Sequence, residues 1–159
     1  MTDYKPEKKG RVNPFFLPYN TPHDTVPFDR ITLADYEEAM LEGIRRENEQ
    51  IEKIVNNPEA PTFENTIIPE DEVKGRKHYY DLLNRVESVF FNMLSAETND
   101  EMDALAQKMS PILTRHANDV SLNPKLFERI KYVYEHHREL TPEENRLLEN
   151  SYDGFERLL

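Results

Sequence analysis

The sequence predicts an all-α fold of about five helices packed in a bundle-like array. Five successive segments repeat apolar residues at the three- and four-residue spacing of an amphipathic helix. No run of alternating β-branched residues appears, and the chain has only 4 glycines among 159 residues. Capping residues and first-turn prolines mark several of the segment starts. These observations favour helices over strands in the chain after its first 31 residues.

The first 31 residues are set apart by their proline content, because they hold 5 of the 11 prolines. We expect residues 1–12 to be a disordered tail. Residues 13–31 are expected to form an extended arm that packs on the helices, since Phe15 and Phe16 are too apolar to be left in water. Residues 32–159 are the predicted helical segment.

The first helix is predicted over residues 32–56. Thr32 can cap its start, with Asp35 at the third helical position in a variant of the capping box. The sequence Asn56-Asn57-Pro58 ends it. Its apolar stripe consists of Leu33, Tyr36, Met40, Ile44, Ile51 and Val55.

The second helical region is predicted to begin at Thr62, which suits an N-cap, with Glu64 placed favourably for the helix dipole. Pro69 and Gly75 weaken the pattern, so residues 70–77 are interpreted as a loop or a kink. A strong helical pattern resumes over residues 79–95. Its apolar residues spread over more than half of the helix circumference and predict burial on more than one side: Leu82, Leu83, Val86, Val89, Phe90, Phe91, Met93 and Leu94.

The last three predicted helices cover residues 100–120, 124–139 and 142–157. Pro111 lies within the first of them and either kinks that helix or starts a new one; the unbroken apolar stripe favours a kink. Asn123-Pro124 combines a cap with a first-turn proline. Thr141-Pro142 does the same and is followed by Glu144 at the capping-box position.

The composition excludes several classes of partner. The formal net charge of -11 would repel both a phosphate backbone and an anionic bilayer, so we predict no nucleic-acid and no membrane partner. The absence of cysteine excludes disulfides and thiolate zinc sites. The first ten residues are not a signal peptide, because they lack an apolar run. We expect a cytoplasmic protein.

The search for chemical motifs predicts no catalytic, cofactor-binding or metal-binding residue in this chain. No two histidines are four residues apart, so the helical zinc motif H-E-x-x-H is absent. No nucleophile elbow, phosphate loop or dinucleotide fingerprint is present. His116 falls on an apolar stripe and is interpreted as a residue at the core edge rather than a ligand. The histidines are His23, His78, His116, His136 and His137.

Several ordered motifs together carry a resemblance to one family. They are Asn13-Pro14-Phe15-Phe16, Pro61-Thr62-Phe63-Glu64-Asn65-Thr66-Ile67, Leu82 to Asn92, Ser95 to Asn99, Leu122 to Phe127 and Tyr152-Asp153-Gly154-Phe155. From about Asn13 onward the chain resembles the N-terminal segment of bacterial peptidyl-dipeptidases, the dipeptidyl carboxypeptidases. These are relatives of thimet oligopeptidase, neurolysin and oligopeptidase A, all of them zinc metallopeptidases.

The resemblance implies a mostly helical, clam-like parent enzyme that cleaves short peptides in a deep channel. It implies that this segment is a fragment forming part of the channel wall, and that its partners are the remainder of the peptidase chain and an oligopeptide substrate. The H-E-x-x-H motif and the third ligand of such enzymes lie far beyond Leu159. Zinc is therefore expected in the full-length parent, and the chain alone is expected to be inactive.

The alternative is a self-contained acidic helical interaction module with no enzymatic activity, which would bind a partner helix or peptide in a groove. Solution behaviour separates the two hypotheses. A module should be monomeric, whereas a fragment should associate with itself through exposed apolar helix faces. The helix over 79–95 is the expected contact. A small bundle needs only one apolar stripe on each helix, and this helix has more apolar surface than one stripe.

Overall fold

The computed structural model describes residues 12–17, 22, 25–75, 81–97 and 99–158. Within these ranges all regular structure is helical, which confirms the predicted all-α class. Short 3₁₀ turns cover Pro14–Phe16 and Phe28–Arg30, and a π-helical turn covers Phe63–Ile67. The α-helices are α1 (Leu33–Val55), α2 (Ile68–Lys74), α3 (Asp81–Ala96), α4 (Asp100–Ser121), α5 (Pro124–His136) and α6 (Pro142–Leu158). None of the described helices combines the length and apolar character that a bilayer crossing requires.

The start of α1 is fixed by the capping box that the sequence predicts. The Asp35 amide donates to Thr32 Oγ1 at 3.3 Å, and the Thr32 amide donates to Asp35 Oδ2 at 2.8 Å. Two backbone donors that the first turn leaves free are thereby satisfied. Asn56 caps the other end, where its amide donates to the Glu52 carbonyl at 2.9 Å.

The prediction of a loop or kink over 70–77 was wrong for Glu70–Lys74, which belong to α2. Pro69 lies in the first turn of this helix, directly after the π-helical turn, and a first turn is where proline is tolerated. Glu70 and Asp71 in the same turn favour the helix dipole. Residues 76–80 lie outside the described residues, and so does the predicted start of the next helix at residue 79.

Helix α4 continues through Pro111, as the favoured of the two alternatives predicted, and no new helix begins at that proline. One further boundary departs from the sequence pattern. Helix α5 was predicted to reach residue 139 but ends at His136, and His137 has extended backbone angles of -71° and 157°. Leaving the helix there lets Arg138 pair with Glu64 and lets Leu140 enter the core.

Helix α1 is shared by two hydrophobic clusters. Its N-terminal half packs with α3, α4 and Phe15, and its C-terminal half packs with α2 and α5. The first cluster contains Phe15, Tyr36, Ala39, Met40, Leu82, Leu83, Val86, Phe90, Met102, Leu105 and Met109. The second contains Ile51, Ile54, Phe63, Ile67, Val73, Val120, Leu126, Ile130, Val133, Leu140, Leu148 and Phe155.

The arm residues Asn13 to Phe16 lie against α1 and α3. Phe15 is completely buried and contacts the Tyr36 ring at 5.6 Å between centroids. Asn13 donates from Nδ2 to the Asp35 carbonyl at 2.9 Å, and Arg85 donates from Nη2 to the Phe15 carbonyl at 2.8 Å. The predicted domain limits at residues 12 and 31 stay predictions, because much of the chain before Thr25 lies outside the described residues.

Gly43 lies where α1 and α3 approach most closely. A Cβ atom added at Gly43 would be 2.8 Å from Leu83 Cβ and 3.1 Å from Leu83 Cα. Such a contact cannot be relieved by rotating a side chain, since the neighbouring atoms belong to or adjoin the α3 backbone. The crossing of α1 and α3 therefore depends on the absence of a side chain at this position.

We expect Gly43→Ala to destabilise the fold by about 1–2 kcal/mol, because overpacking costs about 1–3 kcal/mol and alanine recovers up to about 1 kcal/mol in a helix. Gly154→Ala is the matched control, since nothing lies within 4 Å of its Cβ position in α6. It should stabilise by up to about 1 kcal/mol. Urea unfolding followed by far-UV circular dichroism measures both changes, and equal effects would contradict the close crossing.

Candidate functional site

A buried pair of titratable residues joins α1 to α4. His116 Nε2 lies 2.8 Å from Glu47 Oε1, and the two residues are 6% and 4% exposed. Among the described residues, no group hydrogen-bonds to His116 Nδ1. Along the helices the pair falls between the two hydrophobic clusters, because Met40 and Met109 belong to one and Ile51 and Val120 to the other. The pair is therefore the polar element at the junction of the two clusters.

A second buried polar group connects α2 to α6. Glu70 is 1% exposed; its Oε1 lies 2.8 Å from Lys74 Nζ, and its Oε2 accepts a hydrogen bond from Ser151 Oγ at 2.9 Å. The Lys74 ammonium also lies 4.1 Å from the centroid of the Phe155 ring. These contacts neutralise a carboxylate that would otherwise be costly to bury.

Both polar groups border one cleft of about 580 Å³. Its size is within the range of small-ligand sites. Glu47 and His116 lie on one part of the wall and Lys74 on another. The remaining lining residues are Val73, Gly75, Asn84, Ala117, Val120, Ser121 and Gly154. The Glu47 carboxylate and the Lys74 ammonium are each engaged with another residue of the chain, Glu47 with His116 of α4 and Lys74 with Glu70 of its own helix.

The stretch Phe63-Glu64-Asn65 begins a helix, and its polar atoms serve that start. Thr62 and Asn65 form a reciprocal capping box, with the Asn65 amide 3.0 Å from Thr62 Oγ1 and the Thr62 amide 2.7 Å from Asn65 Oδ1. Phe63 is buried in the core at 3% exposure. Capping by Thr62 and Asn65 and the packing of Phe63 therefore explain the local structure of this stretch.

Two arginines from the α5 region fix this helix start in place. Arg129 donates from Nη1 to the Asn57 carbonyl at 3.1 Å and from Nη2 to Asn65 Oδ1 at 3.3 Å. Arg138 Nη2 lies 2.6 Å from Glu64 and 2.9 Å from Glu144. The connection before α2 is therefore tied to the connection between α5 and α6.

The charges around Arg138 change the acidity of its partners. The hydrogen bond from Arg138 lowers the pKa of Glu64 below its ordinary value of 4.5. The hydrogen bond from the Thr141 backbone lowers the pKa of Glu144, and Arg138 acts in the same direction. A carboxylate with a lowered folded-state pKa contributes stability above its unfolded pKa, and this contribution is lost as the pH falls through the folded value.

We therefore expect Arg138→Gln to reduce stability more at pH 6 than at pH 3. As the pH falls towards and through the lowered folded-state pKa values of the two carboxylates, they gain protons and the arginine loses its benefit in the parent chain too. Urea midpoints at the two pH values measure the difference. Arg146→Gln removes the same charge from an exposed part of α6 and should show a smaller pH dependence. If the difference in urea midpoint between Arg138→Gln and the parent chain stays the same at pH 3, the ion pairs of Arg138 with Glu64 and Glu144 do not stabilise the fold.

The described histidines do not come together. His116 pairs with Glu47, whereas the His136 ring stacks on Tyr132 at 4.4 Å between centroids, and His137 contacts the backbone of Arg138. His23 and His78 lie outside the described residues. In the described part of the chain, no three His, Asp or Glu side chains are grouped as a metal site would require. The described residues therefore offer no candidate site for a metal ion.

The sequence did not reveal Glu47 and Glu70 as buried residues. A signal for Glu47 was present, since it falls on the α1 stripe between Ile44 and Ile51 at helical spacing. A carboxylate at such a position suggests a buried partner. Its partner could not be identified from sequence, because 69 residues separate Glu47 from His116.

Comparison with known proteins identifies the relatives of this chain. It is 39% identical over 141 residues to a dipeptidyl carboxypeptidase of Salmonella typhimurium, and 37% identical over 150 residues to a dipeptidyl carboxypeptidase of Escherichia coli. The matches cover 87% and 91% of this chain. This chain is similar in sequence to the bacterial dipeptidyl carboxypeptidases. No protein-family model matches it.

The dipeptidyl carboxypeptidases are much longer than this chain. The matched residues span 19% of the Salmonella protein and 21% of the Escherichia protein. The family resemblance carried by the sequence motifs is confirmed, and the similarity is consistent with an N-terminal segment of such an enzyme.

Proposed function

We propose that this chain is the N-terminal helical segment of a zinc-dependent peptidyl-dipeptidase, and that it forms part of the wall of the substrate channel. The parent would remove dipeptides from the carboxyl ends of short peptides in the cytoplasm. The observation that carries this proposal is the identity of 37–39% with two dipeptidyl carboxypeptidases over nearly the whole chain.

The contribution of the segment would be steric and electrostatic rather than chemical. Its polar buried groups, Glu47 with His116 and Glu70 with Ser151, join helices to one another. Rigid helices with mutually satisfied polar groups suit a wall that admits extended peptides and excludes folded proteins. The zinc ligands and the general base would be supplied by residues outside this chain.

A channel wall needs loops that are held to one another, and two arginines of this chain hold such loops together. Arg129 and Arg138 tie the segment before α2 to α5 and to the α5–α6 connection. Such ties limit the movement of helix ends relative to one another. A wall built in this way would keep its shape when a peptide enters.

A complementation experiment tests the proposal. The E. coli dipeptidyl carboxypeptidase is produced without the 150-residue segment that matches this chain, and this chain is then added in trans. We expect a one-to-one complex and restored release of a C-terminal dipeptide from an N-acetylated tetrapeptide, detected by mass spectrometry. The same peptide with an amidated carboxyl end controls for specificity.

The alternative of an independent interaction module predicts a different result. In that case this chain would fold and remain monomeric, and it would neither bind the truncated enzyme nor change its activity. Sedimentation velocity of the mixture distinguishes the two outcomes before any activity is measured. The self-association expected of a fragment is tested by sedimentation of this chain alone at several concentrations.

A further inference from the structure

A row of stacked aromatic rings reaches the surface between α5 and α6. The Tyr134 and Tyr152 rings are nearly parallel, with centroids 4.1 Å apart and planes at 10°. Phe127 continues the row at 5.9 Å from Tyr152 and 6.0 Å from the fully buried Phe155. Tyr134 stands at the outer end and remains 41% exposed. The row therefore presents a rigid aromatic surface to solvent, with its inner end fixed in the core.

Three exposed carboxylates lie next to these tyrosines in sequence or one turn away: Glu135, Asp153 and Glu156. None of them forms an ion pair with another described residue, although Lys131 and Arg157 lie on the same two helices. Partial burial raises the pKa of the Tyr152 phenol, and the three carboxylates act on it in the same direction. Glu135 and Asp153 adjoin Tyr134 and Tyr152 in sequence, and Glu156 lies one turn beyond Tyr152 on the same side of α6, so negative charge lies close to the two rings.

We propose that the face formed by Tyr134, Tyr152, Glu135, Asp153 and Glu156, here called the tyrosine face, binds an arginine-bearing polypeptide segment. A guanidinium is planar and weakly hydrated, so it can lie on the open surface of Tyr134 while its N–H groups reach a neighbouring carboxylate. Arginine is preferred to lysine here, because the lysine ammonium cannot stack on a ring and fork onto a carboxylate together.

The negative charge of the tyrosine face favours a basic partner over a second copy of this chain, an anionic lipid or a nucleic acid. A second copy of this chain carries the same formal charge of -11 and would bring its own carboxylates to the contact. Anionic lipids and nucleic acids would be repelled for the same reason. The binding is a property of these two helices and does not depend on the proposed peptidase activity.

A titration with an arginine peptide tests this proposal on the full 159-residue chain. The probe is acetyl-Arg-Gly-Arg-Gly-Arg-amide, and the matched control peptide carries citrulline, a neutral analogue of similar shape, in place of each arginine. Amide chemical shifts from ¹H–¹⁵N correlation spectra report where each peptide binds. We expect saturable shifts around Tyr134 and Tyr152 with the arginine peptide, and binding about tenfold weaker with the citrulline peptide.

Two pairs of variants locate the interaction. Tyr134→Leu and the double variant Glu135→Gln/Glu156→Gln should each weaken binding about fivefold. Tyr132→Leu removes an equally exposed tyrosine from a different side of α5, and Glu143→Gln removes a carboxylate from the far end of α6. These two controls should bind as the parent chain does. Circular dichroism verifies that every variant is folded.

Several results would overturn the proposal. Equal binding of the citrulline peptide would show that the positive charge is not recognised. An equal loss with Tyr132→Leu, or shifts centred away from the tyrosine face, would place the contact elsewhere. A dimer that Tyr134→Leu dissociates would show that a second copy of the chain occupies this face.

Discussion

Replacing Phe15 with alanine is expected to reduce the free energy of unfolding by about 3–5 kcal/mol. Phe15 has no solvent exposure, and its ring packs against Tyr36, which in turn contacts Phe90 at 5.1 Å between centroids. The arm reaches this position through hydrogen bonds from Asn13 and Arg85. Removing the ring leaves a cavity between the arm, α1 and α3 that these backbone contacts cannot fill.

Phe28→Ala is the control for this substitution, because Phe28 also belongs to a short 3₁₀ turn but is 51% exposed. Its loss should change stability by less than about 0.5 kcal/mol. Urea unfolding of both variants, followed by far-UV circular dichroism, gives the two values. Similar stabilities for Phe15→Ala and the parent chain would mean that the arm does not contribute to the core.

Replacing His116 with leucine is expected to cost about 3 kcal/mol, at the low end of the range for breaking a buried pair. The substitution takes the imidazole away from the buried Glu47 carboxylate, whereas Glu47 keeps its other interactions. The leucine side chain is similar in volume, so the loss reports the polar contact more than the packing.

The double variant Glu47→Leu/His116→Leu should recover most of this loss, because two apolar residues of suitable size can replace a buried polar pair with little cost. A double-mutant cycle of urea midpoints, completed with Glu47→Leu, gives the coupling energy. Additive effects of the two single substitutions would contradict a direct interaction between α1 and α4 through this pair.

The long helices could be predicted because their signals are local. Thr32, Asn123 and Thr141 each precede an apolar stripe, and each lies at the start of a helix in the structure. The predicted limits of 32–56, 100–120 and 142–157 differ from the observed ones by one residue at each displaced end. Capping and periodicity depend only on neighbours in sequence, which is why they were sufficient.

The errors arose where distant contacts decide the backbone. Helix α5 stops before Arg138, since that arginine pairs with Glu64, which precedes it by 74 residues. Pro69 looked like an interruption but occupies the first turn of a helix whose Glu70 is held by Ser151 from α6. Neither partner can be inferred from a local window of sequence.

The apolar surface of α3 is largely covered within the chain. Leu82, Leu83, Val86 and Phe90 are buried, and at about 100° per residue they lie within one stripe of the helix. The remaining apolar positions, Val89, Phe91, Met93 and Leu94, are partly buried against the same cluster. Self-association stays a prediction, and the large apolar side chains exposed in the described residues lie outside α3: Val12, Leu17, Phe28, Leu41, Ile68, Leu122, Tyr132 and Tyr134.

The central claim is that this chain is a structural segment of a peptidyl-dipeptidase, and a chimeric enzyme tests it most directly. The 150-residue segment of the E. coli dipeptidyl carboxypeptidase that matches this chain is replaced by this chain, and dipeptide release from an N-acetylated tetrapeptide is measured. The account predicts a folded chimera that releases the C-terminal dipeptide, with a loss of stability when His116→Leu is introduced. A chimera that folds but releases no dipeptide would contradict it.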